Sequence, residues 1–285
     1  MKTLVRSVAG LKMKMSIIIL SLLLTIGTTN CTEDILTEPI VESEMVVVSA
    51  FLFAGEKIEK IQLTKTFPLC SEDTVAVPIN DAQVYLTKNG KDYLLKNKPD
   101  QNGYYFYDGN DLKVESGDMF YLRVNYNNQT ITAATVVPTK PAQVSISKQT
   151  LILTSATQGM GGVIQDTNSI KVSWSNPDSS LYYVVIQNLE TNPTLIPVTS
   201  TRGGSMKVTF PPNTTSEFLI ARRNLTYLGQ HVAIVYKVNQ EYADLYESRT
   251  QSSKNLNEPI SNIKNGLGVF SAFASDAVNF NVISQ

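Results

Sequence analysis

Histidine and tryptophan each occur once in these 285 residues, and cysteine only twice. With His231 as the sole imidazole, Ser-His-Asp and Cys-His constellations have little to draw on, and histidine-rich zinc sites are excluded by count. The longest basic runs are Lys96-Asn97-Lys98 and Arg222-Arg223. Neither makes the basic stripe that marks a nucleic-acid binder, so nucleic acid is not an expected partner. No apolar run reaches the roughly 17–25 residues that a membrane-crossing helix needs. Gly159, Gly161 and Gly162 lack the strand-turn-helix context of a phosphate-binding loop and read as flexibility in a long insertion, residues 154–168.

What is present begins at the amino terminus. Lys2, Arg6, Lys12 and Lys14 precede the uncharged, largely apolar run Met15–Gly27, and the first acid is Glu33. A basic flank and an apolar stretch of about 7–15 residues describe a secretory signal; Met1, Met13 and Met15 are all eligible starts. The run ends Thr28-Thr29-Asn30-Cys31. That ending resembles the lipobox of bacterial lipoproteins, in the relaxed form found in Bacteroidota, with Thr28 and Asn30 in place of the usual aliphatic and small residues. The resemblance implies acylation of Cys31 and cleavage before it. Each buried CH₂ contributes about 0.8 kcal/mol, so two or three acyl chains on one residue suffice for stable anchoring. Thr32-Glu33-Asp34 resembles the acidic signal that sends Bacteroidota lipoproteins to the outer leaflet, which implies an outer-membrane, lipid-anchored chain facing the cell exterior.

Removing residues 1–30 leaves 20 Lys and Arg against 25 Asp and Glu, a net charge of −5. With Cys31 acylated, Cys70 is the only thiol left, so no intramolecular disulfide or cysteine metal cluster can form. Residues 31–44 read as a polar tether. From Met45 onward, β-branched and aromatic residues alternate with polar ones in short segments about ten residues apart. Asn-Gly, Asp-Gly and Ser-Gly turn signals separate them, the pattern of a sandwich or barrel. Thr87-Lys88-Asn89-Gly90-Lys91 reads as a hairpin with Asn and Gly available for positive φ. Pro138 to Pro141 marks a boundary, which divides the body into residues 45–140 and 141–285. Glu241–Leu256 is the helix candidate, with Tyr242, Leu245 and Tyr246 on one face. Gly266 and Gly268 allow a bend before a closing strand.

Three resemblances add to this reading. Pro78–Val84, Asn102–Phe106 and Ser116–Leu122 resemble steps of the transthyretin-like and carboxypeptidase-regulatory-like sandwich. Ser169–Glu190, with Trp174 in the core, resembles strands B and C of a fibronectin type III domain. Together they imply a mostly β chain of two tandem β-sandwich domains, Ig-like or prealbumin-like and then fibronectin-III-like, with a short C-terminal helix and closing strand. The most specific segment is Ser261-Asn262-Ile263-Lys264-Asn265-Gly266-Leu267-Gly268-Val269-Phe270. It resembles the C-terminal signature of a Bacteroidota lipoprotein family known as domain of unknown function 4249, and Cys31-Thr32-Glu33 with Val46-Val47-Val48 resembles its start. Members are commonly encoded beside TonB-dependent outer-membrane transporters, which implies such a transporter as a partner.

Chemistry is sparse. His231 is expected to make an ordinary hydrogen bond at the start of a strand. Asp108-Gly109-Asn110-Asp111 reads as a turn, without the 12-residue calcium pattern. Asp73-Thr74-Val75 resembles the Bacteroidota O-glycosylation sequon, which makes Thr74 the candidate acceptor. The expectation is a non-enzymatic lipoprotein without cofactor or metal, an accessory or ligand-capture partner of a TonB-dependent transporter. It predicts an exposed apolar or aromatic patch, from Tyr104, Tyr105 and Tyr107 or from the 154–168 loop. The competing readings are an adhesive surface protein with no transporter, and a hydrolase using paired carboxylates.

Overall fold

The computed structural model describes residues 44–66, 75–99, 102–153, 168–196, 205–250 and 261–285. Cys31, Cys70, Thr74 and the glycines of the 154–168 segment lie outside them. Strands dominate, as the alternation predicts. The first half holds β1 (Val46–Phe53), β2 (Lys60–Lys65), β3 (Gln83–Lys88), β4 (Lys91–Asn97), β5 (Tyr104–Phe106), β6 (Met119–Tyr126) and β7 (Gln129–Val136). The second holds β8 (Ala142–Ile146), β9 (Thr150–Leu153), β10 (Ser169–Ser175), β11 (Leu181–Asn188), β12 (Lys207–Thr209), β13 (Glu217–Ala221) and β14 (Gly229–Val238). Helix α1 (Gln240–Thr250) and the long strand β15 (Leu267–Ser284) complete it. The helix starts one residue before its expected position, and residues 251–256 of the expected helix lie outside the described residues.

Twelve strands share one sheet, in the order β12-β11-β14-β15-β1-β2-β5-β4-β3-β6-β7, with β9 also paired to β15. The other three, β13-β10-β8, form a second sheet. β15 links the two halves. Its first seven residues run parallel to β1, from Val47↔Leu267 to Phe53↔Phe273. Its remainder runs antiparallel to β14, from Val238↔Phe273 to Gly229↔Val282. Side chains change core along the same strand. Phe270 and Ala272 fill the first core, with Val46, Val48, Ala50 and Leu52 of β1. Phe280 and Val282 fill the second, with Trp174, Tyr182, Val184 and Ile220. β10 and β11 lie in opposite sheets, the placement of strands B and C in an Ig-type sandwich.

The signature segment explains how β15 reaches β1. The Ser261 hydroxyl donates to the Gly268 carbonyl at 2.9 Å, and Asn262 both donates to and accepts from the Phe270 backbone. Lys264 exchanges two backbone hydrogen bonds with Thr132 of β7, and Asn265 Nδ2 donates to the Thr130 carbonyl. The first-half sheet is thereby brought back on itself. Gly268 has φ +107°, and a Cβ there would lie 1.9 Å from the Val48 carbonyl oxygen. Only glycine admits this approach. At the other end of β3, Asn89 (φ 51°) and Gly90 (φ 76°) form the expected hairpin turn.

A third cluster lies on the face of the large sheet away from both cores. Phe51 and Phe53 of β1, Tyr183, Tyr236 and Phe273 meet Tyr242 of α1 there. Tyr183 stacks on Tyr236 at 4.7 Å and Phe53 on Phe273 at 4.8 Å. Asn239 and Glu241, at the start of α1, hold the end of β7: Asn239 Nδ2 donates to the Val136 carbonyl, and Thr135 Oγ1 donates to Glu241.

Candidate functional site

At the end of the second half, β14 begins, β15 ends and the turn after β11 folds over both. A cleft of about 450 Å³ opens between them, lined by Glu190, Asn192, Thr194, Leu228, Gly229 and the last residues of β15, 281–284. Its wall is held from behind by buried polar groups. Asn188 and His231, only 3% and 2% exposed, sit on paired positions of β11 and β14. Asn188 Oδ1 accepts from the Glu190 amide at 3.0 Å, which makes its Nδ2 the donor to the Leu228 carbonyl and to His231 Nε2. His231 Nδ1 therefore carries the proton and donates to the Gly229 carbonyl at 2.8 Å. Burial is the main influence on this imidazole and pushes its pKa below the usual value, against the opposing pull of the Gly229 hydrogen bond and Glu190. Glu190 Oε1 accepts from the Gln230 amide at 2.7 Å. The neutral, fully bonded Asn188–His231 pair and the Glu190 carboxylate together fix the backbone they touch, here residues 228–230.

His231 thus makes the ordinary strand-start hydrogen bond expected of it, and also anchors a cleft wall that no local signal announced. Asn188 and Glu190 sit in an unremarkable Gln-Asn-Leu-Glu stretch and meet residues 228–231 only through the β11–β14 pairing.

Two further clefts flank the 107–118 segment of the first half. One, of about 420 Å³, is lined by Lys88, Asn89, Lys91, Tyr93, Asp111 and neighbours; the other, of about 370 Å³, by Gly55, Glu56, Gly109, Leu112 and neighbours. Here most of the charged groups are paired with one another. Asp108 meets Lys96 and Asp111 meets Lys91, each at 2.8 Å, and Lys88 binds Asp118. Hydrogen bonds from Lys91 and then Tyr107 hold the Asp111 carboxyl at about 2. The acidic turn is therefore tied to lysines. Among the described residues, no group of three His, Cys, Asp or Glu side chains gathers as a metal site would require.

Of the two expected sources of an exposed patch, residues 154–167 of the loop lie outside the described residues, and Tyr104, Tyr105 and Tyr107 do not form one. Tyr105 is 1% exposed and donates from its hydroxyl to the Ile79 carbonyl; Tyr107 packs edge-on to Tyr93. The period of two in β5 sends Tyr105 inward. Apolar groups instead lie open on the outer face of β4-β3-β6-β7. Leu94, Tyr121, Met119 and Val136 are each 42–55% exposed. The pairings Tyr85↔Leu94, Tyr121↔Ala134 and Met119↔Val136 put them on one face. Arg123 lies 4.5 Å over the Tyr85 ring and is paired with Asp92. No helix among the described residues is long and apolar enough to cross a membrane.

Comparison with curated proteins finds no match. A family model does match, over residues 32–277, and it takes in the signature segment and most of both cores. The chain belongs to the family described as domain of unknown function DUF4249.

Proposed function

We propose that this chain is a Bacteroidota outer-membrane lipoprotein, anchored through acylated Cys31 and facing the cell exterior. In this reading it acts without catalysis, as an accessory or ligand-capture partner of a TonB-dependent transporter. The observation that carries the reading is the open face of β4-β3-β6-β7. Tyrosine, methionine and arginine are the residues enriched in the centres of protein interfaces, and Tyr85, Tyr121, Met119 and Arg123 sit together there with Leu94 and Val136. The paired charges of the first-half clefts and the neutral, bonded His231 support a binding role over a hydrolytic one.

The test is a gentle-detergent pull-down of tagged protein from native outer membranes, with mass spectrometry of the proteins that co-purify. A stoichiometric TonB-dependent transporter is expected. Tyr121→Asp, at an exposed position, should lose the transporter while the protein stays folded and membrane-bound, and Cys31→Ala should release the protein from the membrane. Recovery of the lipoprotein alone across several detergents sinks the transporter reading and favours adhesion.

A further inference from the structure

We infer that the cleft backed by His231 binds a neutral saccharide. The inference deepens the ligand-capture reading and rests on it for its biological use. Three properties of the cleft select the ligand class. Among the described residues, its polar lining comprises one carboxylate (Glu190), two amides (Asn192, Asn281) and two hydroxyls (Thr194, Ser284), with no lysine or arginine. Such a set offers acceptors and donors for hydroxyl groups and nothing to neutralise an anion. Beside them, the half-buried Leu228 and the 39%-exposed Ile283 provide apolar surface for the C–H face of a sugar ring. A few convergent polar groups on an apolar floor is the general form of a small-ligand site.

The wall of the cleft is also preorganised. Glu190 Oε1 is fixed by the Gln230 amide, and Oε2 has no partner among the described residues. Leu228 is fixed at both backbone groups, its N–H donating to the Thr194 carbonyl and its carbonyl accepting from Asn188. Gly229, with φ +95°, leaves room for the Glu190 side chain, which a Cβ at that position would meet at 2.4 Å. A wall built this way needs little ordering when a ligand arrives, and that lowers the cost of binding. The cleft also stands at the far end of β15 from Leu267, roughly 50 Å along the strand. It is therefore remote from Val47, which pairs with Leu267 near the start of β1.

The test is calorimetric titration of the full lipidated chain in a detergent without a sugar headgroup, using maltose, cellobiose and lactose. Glucuronic acid serves as the anionic counterpart and trialanine as the peptide control. Saturable binding of at least one disaccharide is expected, weakened at least tenfold by Glu190→Gln and by Thr194→Ala, with neither control bound. Gln retains an acceptor for the Gln230 amide, and Thr194 holds Leu228 through its backbone. A thermal melt of each variant confirms folding, and either folded variant suffices for the comparison. Three results overturn the inference: no saturable binding of any disaccharide, binding unmoved by the folded variants, or preference for glucuronic acid or trialanine. Transporter recovery in the pull-down is read separately, so failure of the sugar site and failure of the transporter reading are distinguishable.

Discussion

Protonating His231 breaks the network around it, because Nε2 would then face the Asn188 amide with a proton of its own. Burial lowers the folded-state pKa below its usual value, about 6.5 in an unfolded chain. The unfolded chain therefore takes up a proton first as pH falls. Stability is fully present above about pH 6.5, declines below it, and levels off once the folded form is protonated too. Thermal melts from pH 8 to pH 5 should show this decline, and His231→Gln should flatten the difference curve; parallel curves for the two proteins would refute the assignment. Ser271 gives a second prediction at this scale. It is fully buried on β15, and its hydroxyl has no hydrogen-bond partner among the described residues. An unmet buried polar group costs about 1–3 kcal/mol, so Ser271→Ala should leave stability unchanged or raise it by about 1 kcal/mol in urea unfolding. A clear loss would mean that the hydroxyl is satisfied in solution.

The element that decides most is β15, and its register depends on glycine. Gly268→Ala would place a methyl group against the Val48 carbonyl at a backbone angle that side chains avoid. Left-handed strain and overpacking each cost about 1–3 kcal/mol, so a loss of about 3 kcal/mol or more is expected, read as a shifted denaturation midpoint with the slope unchanged. A loss below about 1 kcal/mol would mean that β1 and β15 separate easily. This strand also shows where sequence reading stops. Its existence is legible from the glycines and the apolar run after them, as are the hairpin at Asn89-Gly90, the core position of Trp174 and the strand-start position of His231. Its parallel pairing with β1, about 220 residues earlier, is not, because local periodicity carries no information about a distant partner. The same holds for the cleft of Glu190, Leu228 and Ser284, whose members meet only through strand pairing. Tyr105 misleads for a simpler reason: three tyrosines within four positions look like a patch until the strand's alternation sends one of them inward.

At the scale of the molecule, one strand serves two cores. Phe270 and Phe280, ten residues apart on β15, are both essentially buried, one in each core. Replacing either by Ala should cost about 3–5 kcal/mol. Because the cores share the strand, scanning calorimetry of the body should show a single transition, and Phe270→Ala should lower the midpoint reported by Trp174 fluorescence in the other core. Two separate transitions, with Trp174 blind to Phe270, would mean that the cores melt independently. Synthesis order adds a consequence. Domains ordinarily fold as they emerge, amino-terminal first, but here β1, paired with β2, and β14, paired with β11, each lack their second neighbour until residues 267–284 have been made. A chain whose last described strand completes both cores carries that delay in its own topology.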